Sequence, residues 1–178
     1  MLAERGIHAI GIDPTEPLIA EARRRDPAGD YRIGRAETLD FLDASFDLVV
    51  AYLSLIDIPD LPAAIAEMAR VLRPGGALLI ANLTSFGTAG GWSLDLLGRT
   101  RFAIDHYLAE RASWASWRGI RIRNWHRPLE TYMTLLLGTG LDLRFFAEPV
   151  PHGGNARRVA RYRRVPWFLI MEWRKPMV

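Results

Sequence analysis

The 178-residue sequence contains no cysteine, which excludes a disulfide framework, a thiolate metal site and a thiol nucleophile at once. It also has no apolar run near the roughly 18 residues of a membrane-spanning helix. The opening MLAERGIHAI lacks the charged, apolar and small-residue order of a secretory signal. These absences predict a cytoplasmic protein with no membrane partner. The four histidines are scattered without the His-x-x-x-His spacing of a metal-binding helix, no acidic cluster calls for a divalent ion, and there is no Gly-x-Ser-x-Gly elbow. No metal is expected.

What is present is ordinary for a globular domain: 49% hydrophobic and 24% charged residues, enough to bury a core in one unit spanning 1–178. The net charge is only +3, but the pI is near 9.7. Much of the basic character is local. RRVARYRR, residues 157–164, holds five arginines in eight positions. Such a cluster suits a phosphate, an anionic substrate, an acidic membrane surface or nucleic acid. The plainer alternative, a solvated loop face, is favoured.

Short apolar runs alternate with helical patterns, the signature of a βαβ series and a mostly parallel sheet. IHAIGI (7–12), YRIGR (31–35) and FDLVVAY (46–52) read as strands, with PLIAEARRR (17–25) as a helix between the first two. FDLVVAY is nearly continuous in apolar residues and predicts a strand buried on both faces. In LPAAIAEMARVL (61–72), Leu61, Ile65, Met68, Ala69 and Leu72 form one stripe at helical spacing. Asp60 supplies a cap, Pro62 is tolerated in the first turn, and Arg70 and Arg73 complement the carbonyl end before Pro74-Gly75-Gly76 stops the helix. ALLIAN (77–82) follows as a strand. Residues 83–125, rich in Thr, Ser, Gly and Trp, read as a lid or substrate-binding insertion with short helices of its own. Pro128 then opens a helix striped by Leu129, Tyr132, Met133 and Leu136, and LDLRFFAEP (141–149) and PWFLIMEW (166–173) are the closing strands.

The order GIDP, RAETLDF, FDLVVAYLSLIDIPD and RVLRPGGALLIAN resembles the class I S-adenosylmethionine-dependent methyltransferases, closely over 1–82 and loosely over 126–175. The resemblance implies an α/β, Rossmann-like, mostly parallel sheet with helices on both faces and an antiparallel C-terminal strand. It implies S-adenosyl-L-methionine as cofactor and, for the small-molecule members that HRPLETY resembles, methyl transfer to an O, N or C atom. It places Asp13, followed by Pro14, at the ribose hydroxyls, where an acceptor-only carboxylate meets a diol; Asp before Pro is also a common turn pair. Ala36 and Glu37 resemble the adenine site, Glu37 being otherwise a loop carboxylate. Ala51 and Tyr52 fall beside the methionine part and the reactive methyl. Relatives often carry a histidine in the next turn, where this chain reads Leu55-Ile56-Asp57.

In such folds the first strand and a glycine-rich loop precede the acidic residue by about 20 positions, and here twelve residues precede Asp13. MLAERG reads as the end of the first helix, with the first strand apparently missing. Two inner edges would then be unpaired, inviting a second copy to pair there. Three explanations are open: a clipped terminus, a late start, or a short form that closes its sheet differently.

For chemistry, His126 and Arg127 offer a base and a fork-shaped anion clamp where the lid returns to the sheet; equally, His126 stabilises the helix start and Arg127 is solvated. Tyr52 is placed to touch cofactor or substrate. His106-Tyr107 reads as packed aromatic material rather than a base. The rivals to a small-molecule methyltransferase are a noncatalytic or truncated interaction protein and an NAD-dependent oxidoreductase. A nucleic-acid substrate is disfavoured, because the Asn/Asp-Pro-Pro-aromatic string is absent.

Overall fold

The computed structural model describes residues 6–117 and 120–177. Its elements run β1 (Ile10–Asp13), α1 (Glu16–Arg25), β2 (Asp30–Ile33), β3 (Phe46–Tyr52), α2 (Leu61–Val71), β4 (Leu72–Leu83) and α3 (Ser85–Ala89). They continue as β5 (Gly90–Leu94), β6 (Thr100–Ile104), β7 (Arg111–Trp117), β8 (Ile120–His126), α4 (Leu129–Gly138), β9 (Asp142–Ala147), α5 (Ala156–Tyr162) and β10 (Phe168–Arg174).

The strands behave as their sequences direct. β3 pairs in parallel with β4, and β10 lies antiparallel between β4 and β9, giving the order β3-β4-β10-β9. β1 and β2 form a separate parallel pair. Alternation sorts the faces of the larger sheet. Ala51, Leu78, Ile80, Leu169, Met171 and Trp173 all point to the side covered by α2 and α4, where they meet Leu61, Ile65, Met68, Tyr132 and Leu136 in one core. That burial supplies most of the driving force for this half of the fold.

α2 starts where Asp60 accepts a bond from the Ala63 amide at 3.1 Å. Its end is held differently from the expectation for Arg70 and Arg73. Lys175 Nζ donates to the Ala69 and Leu72 carbonyls at 2.8 Å each, while Arg70 turns to the carbonyls of Leu39 and Phe41 and to Asp43. Gly75, at φ +77°, then turns the chain, and Gly76 lets it pass close to the Arg73 and Asp47 carbonyls, where a Cβ would sit 2.9 and 3.1 Å away.

Two expectations are corrected, and a third falls outside the described residues. β3 is buried on one face only: Leu48, Val50 and Tyr52 are exposed, because α2 and α4 cover the Val49 and Ala51 side and no described element covers the other. The reading of residues 1–6 as a helix end falls, apart from Gly6, outside the described residues; within them β1 pairs only with β2 and β3 only with β4. The described residues of 83–125 form one five-residue helix and two antiparallel strand pairs, β5-β6 and β7-β8. Strand pairing takes the place of most of the expected short helices.

Candidate functional site

The ends of β1, β2 and β3 and the turns after them lie along one edge. Asp13 closes β1, and its Oδ1 accepts the Thr15 amide at 2.7 Å, which turns the chain into α1 and leaves Oδ2 without a partner among the described residues. After β2 the Gly34 amide donates to the Asp13 carbonyl at 3.2 Å, bringing Ala36 and Glu37 beside β1. The Glu37 side chain is only 11% exposed, and its described partner is Arg35, at 2.7 Å. Such a carboxylate retains unused acceptor capacity.

At the end of β3, Ala51 is buried and the Tyr52 ring is 71% exposed. Leu53 takes a left-handed φ of +53°, while its amide donates to the Ala81 carbonyl at 2.7 Å. A leucine held there stores strain that the surrounding hydrogen bonds enforce. The strained turn leads through buried Leu55 and Ile56 to Asp57.

Asp57 is half-buried and accepts a bond from Asn124 Nδ2 on β8. Its carboxyl is pushed up to about 6, chiefly by burial and further by the negative charge of Asp13; the Asn124 bond opposes the shift. The negative charges at the ends of β1 and β3 are thus near enough for Asp13 to act on Asp57. Behind Asp57 lies a cavity of about 190 Å³, lined by Ile56, Leu83, Thr88, Arg111, Asn124 and His126.

His126 is buried, with Nε2 2.8 Å from the Tyr107 carbonyl and Nδ1 2.7 Å from Thr88 Oγ1. A carbonyl only accepts, so Nε2 carries the proton, and in the neutral ring Nδ1 accepts from the Thr88 hydroxyl. Arg127 is also buried, donating to the carbonyls of Leu55, Ile58 and Pro59 at 3.1, 2.8 and 2.9 Å. Trp125 stacks on its guanidinium at 4.9 Å. It borders a different groove, of about 390 Å³, with Pro62, Glu110 and Glu130. The two neighbours in sequence therefore face different spaces. His106 is exposed beside Asp105. Tyr107 stacks on Phe86, and its hydroxyl accepts the Leu129 amide at 3.2 Å.

Of the sequence-predicted residues, Asp13, Ala36, Glu37, Ala51 and Tyr52 lie along one edge, with Pro14 in the turn after Asp13, and His126 lies on the cavity behind. Sequence reasoning passed over Asp57, although it stands in the turn where relatives carry another titratable side chain, and over Asn124, which fixes it. It also passed over Asn82, fully buried beside Tyr132, whose amide atoms have no hydrogen-bond partner among the described residues.

Residues 1–80 match the methyltransferase domain family. Over 84 residues, 47% of this chain, the sequence is 36% identical to a demethylmenaquinone methyltransferase from Beutenbergia cavernae, covering 35% of that protein. Over 105 residues, 59% of this chain, it is 36% identical to a malonyl-(acyl-carrier protein) O-methyltransferase from Serratia marcescens, covering 39% of it. The chain thus aligns with well under half the length of these relatives. A crystal structure of an S-adenosylmethionine-dependent methyltransferase from Mesorhizobium loti superposes with a TM-score of 0.82, covering 97% of this chain and 83% of that one at 26% identity.

Proposed function

We propose that the protein is a class I S-adenosylmethionine-dependent methyltransferase that moves a methyl group from S-adenosyl-L-methionine to a small-molecule acceptor in the cytoplasm, a reading supported by the family match over residues 1–80 and by the likeness of fold. The single observation that carries the reading is Asp13 at the end of β1, its Oδ2 without a partner among the described residues, near enough to Asp57 for the two charges to interact.

The residues present suit the adenosine end of this cofactor. Asp13 Oδ2 is open to a ribose diol, and nearly buried Glu37 has acceptor capacity for an exocyclic amine, with the Ala36 backbone beside it. Ala51 and exposed Tyr52 border the methionine end. When bound, the cofactor supplies an electrophilic methyl on a positively charged sulfur.

The chain's residues then have three tasks: to hold the acceptor in line, to exclude water and to receive a proton where the acceptor arrives protonated. β7-β8 and α3 close the cavity over the strand ends, with Thr88, Arg111 and Asn124 as polar contacts for an acceptor. Asp57 is the group we assign as base: its carboxyl titrates near the working pH, and Asn124 aims it. His126 keeps the lid seated by bridging Thr88 and Tyr107. Using its Nδ1 as a base would first require breaking the Thr88 bond. Arg127 ties the start of α4 to the turn after β3. The edges of β1 and β3 that have no partner strand among the described residues support self-association by strand pairing. No relative named above supports a nicotinamide cofactor.

Calorimetric titration with S-adenosylhomocysteine, with NAD as control, tests the cofactor reading. Saturable binding is expected for the homocysteine compound alone, weakened about tenfold or more in Asp13→Ala by loss of charge-assisted bonds. Equal binding of NAD, or no effect of Asp13→Ala, would overturn it.

A further inference from the structure

The β5-β6 hairpin projects from α3 and ends in Leu94-Asp95-Leu96-Leu97-Gly98-Arg99. Its tip is a built turn. The Asp95 amide donates to the Arg99 carbonyl and the Gly98 amide to the Asp95 carbonyl, at 2.9 Å each, while Asp95 Oδ1 accepts the amides of Leu97 and Arg99 at 3.0 and 2.9 Å. Gly98 takes the left-handed conformation such a turn requires. This rigid turn holds Leu96 and Leu97 outward: Leu96 is fully exposed, Leu97 is 74% exposed and Leu94 is 71% exposed. Ile104, on the same face as Leu94, is exposed as well. Isolated exposed leucines are common, but a grouped set on a hydrogen-bonded tip marks an interaction surface.

Charge identifies the partner. The acidic residue of the turn, Asp95, is paired with Arg99 and Arg101 at 2.8 and 3.3 Å, so the tip presents no free negative charge of its own. Arg161 and Arg164 lie over the Trp92 ring at 5.6 and 5.0 Å, and Arg164 also donates to the Thr100 carbonyl. Arg157 precedes Arg161 by one helical turn on α5 and continues that stripe. The result is an apolar tip with arginines behind it, the nearest of them stacked on a tryptophan. That is the pattern of a segment that dips leucines into a bilayer while its guanidiniums meet lipid phosphates.

We propose that this hairpin, with α5, docks the protein on an anionic membrane surface. Nothing in the proposal depends on methyl transfer. It accounts for the arginine cluster of residues 157–164, and it revises the expectation of no membrane partner: no helix of the described residues is long and apolar enough to span a bilayer, whereas this element lies on one.

The chain has no cysteine, so Leu97→Cys gives a single site for an environment-sensitive fluorophore. The probes are vesicles of phosphatidylcholine alone and with about 30 mol % phosphatidylglycerol. Blue-shifted, enhanced emission is expected only with the anionic vesicles. Co-sedimentation of the unlabelled protein should fall about tenfold in Leu96→Asp/Leu97→Asp. It should fall severalfold in Arg157→Gln/Arg164→Gln, and also when NaCl is raised from about 0.05 to about 0.3 M. Leu96 and Leu97 stand on the exposed tip, where substitution leaves the fold intact, and circular dichroism checks that the arginine variants keep theirs. The proposal is overturned if the folded protein ignores anionic vesicles or if binding survives the aspartate variant. Self-association without lipid that the aspartate variant abolishes would overturn it equally, since a second copy would then cover the tip.

Discussion

Asp57 shows how one side chain can combine a cost and a use. In an unfolded chain its carboxyl would titrate near 3.9, whereas in the fold it holds its proton up to about 6. The folded state therefore binds that proton more tightly. The stability tied to it is full below about pH 4 and is lost as pH rises through about 6. Asp57→Asn keeps the shape beside Asn124 and removes the charge. It is expected to raise stability near pH 7.5 by on the order of 1 kcal/mol, allowing for solvent screening at a half-exposed group, and to change little near pH 4. Calorimetric melting at both pH values checks this; an equal gain at both would show that the ionised carboxylate is not the cause. Asp13, on the other strand end, was legible in the sequence because the apolar run Ile10–Ile12 stops at it. Asp57 was not, because its significance depends on Asn124, 67 residues away, and on a burial that no local pattern encodes.

At the level of elements, legibility followed periodicity. β3 was read to the residue, and α2 nearly so, since stripe, cap and stop all agree there. Asp60→Ala removes the bond to the Ala63 amide and is expected to cost about 1 kcal/mol, measured by urea unfolding with an unchanged m-value. At the end of the same helix Arg70 stands in the last turn as expected, but Lys175, which bonds the Ala69 and Leu72 carbonyls, lies about a hundred residues downstream and was not legible. The secondary structure of residues 83–125 was misread for another reason. Residues 121–126, Arg-Ile-Arg-Asn-Trp-His, hold their apolar residues Ile122 and Trp125 three apart, so no period of two shows in the sequence, and strand pairing decided the outcome. His126 and Arg127 look like one constellation in sequence. They separate because the chain passes there from strand to helix, turning adjacent side chains to opposite sides of Trp125.

On the scale of the whole molecule, no element of the described residues covers one face of the four-stranded sheet. Leu48 and Val50 of β3, Phe145 of β9 and Phe168 and Ile170 of β10 share it and are all exposed, and β3 adds an edge with no partner strand among the described residues. Apolar surface of that extent, next to free backbone donors and acceptors, favours association. The 178-residue chain is expected to self-associate with rising concentration in sedimentation velocity, and Leu48→Lys/Val50→Lys to suppress this without loss of helix signal. A monomer at all concentrations would show that the face tolerates water.

β4 is the element on which this sheet depends. It receives β3, whose last residue precedes it by only 20 positions, and β10, whose first residue follows its end by 85. During synthesis its first side can therefore close early, while its second side stays unpaired until residues 168–174 have left the ribosome. Closing so long a loop costs entropy that the later contacts must recover. Until then Leu78 and Ile80 lie on a strand with one open side, so the hazardous interval for this chain is its own translation.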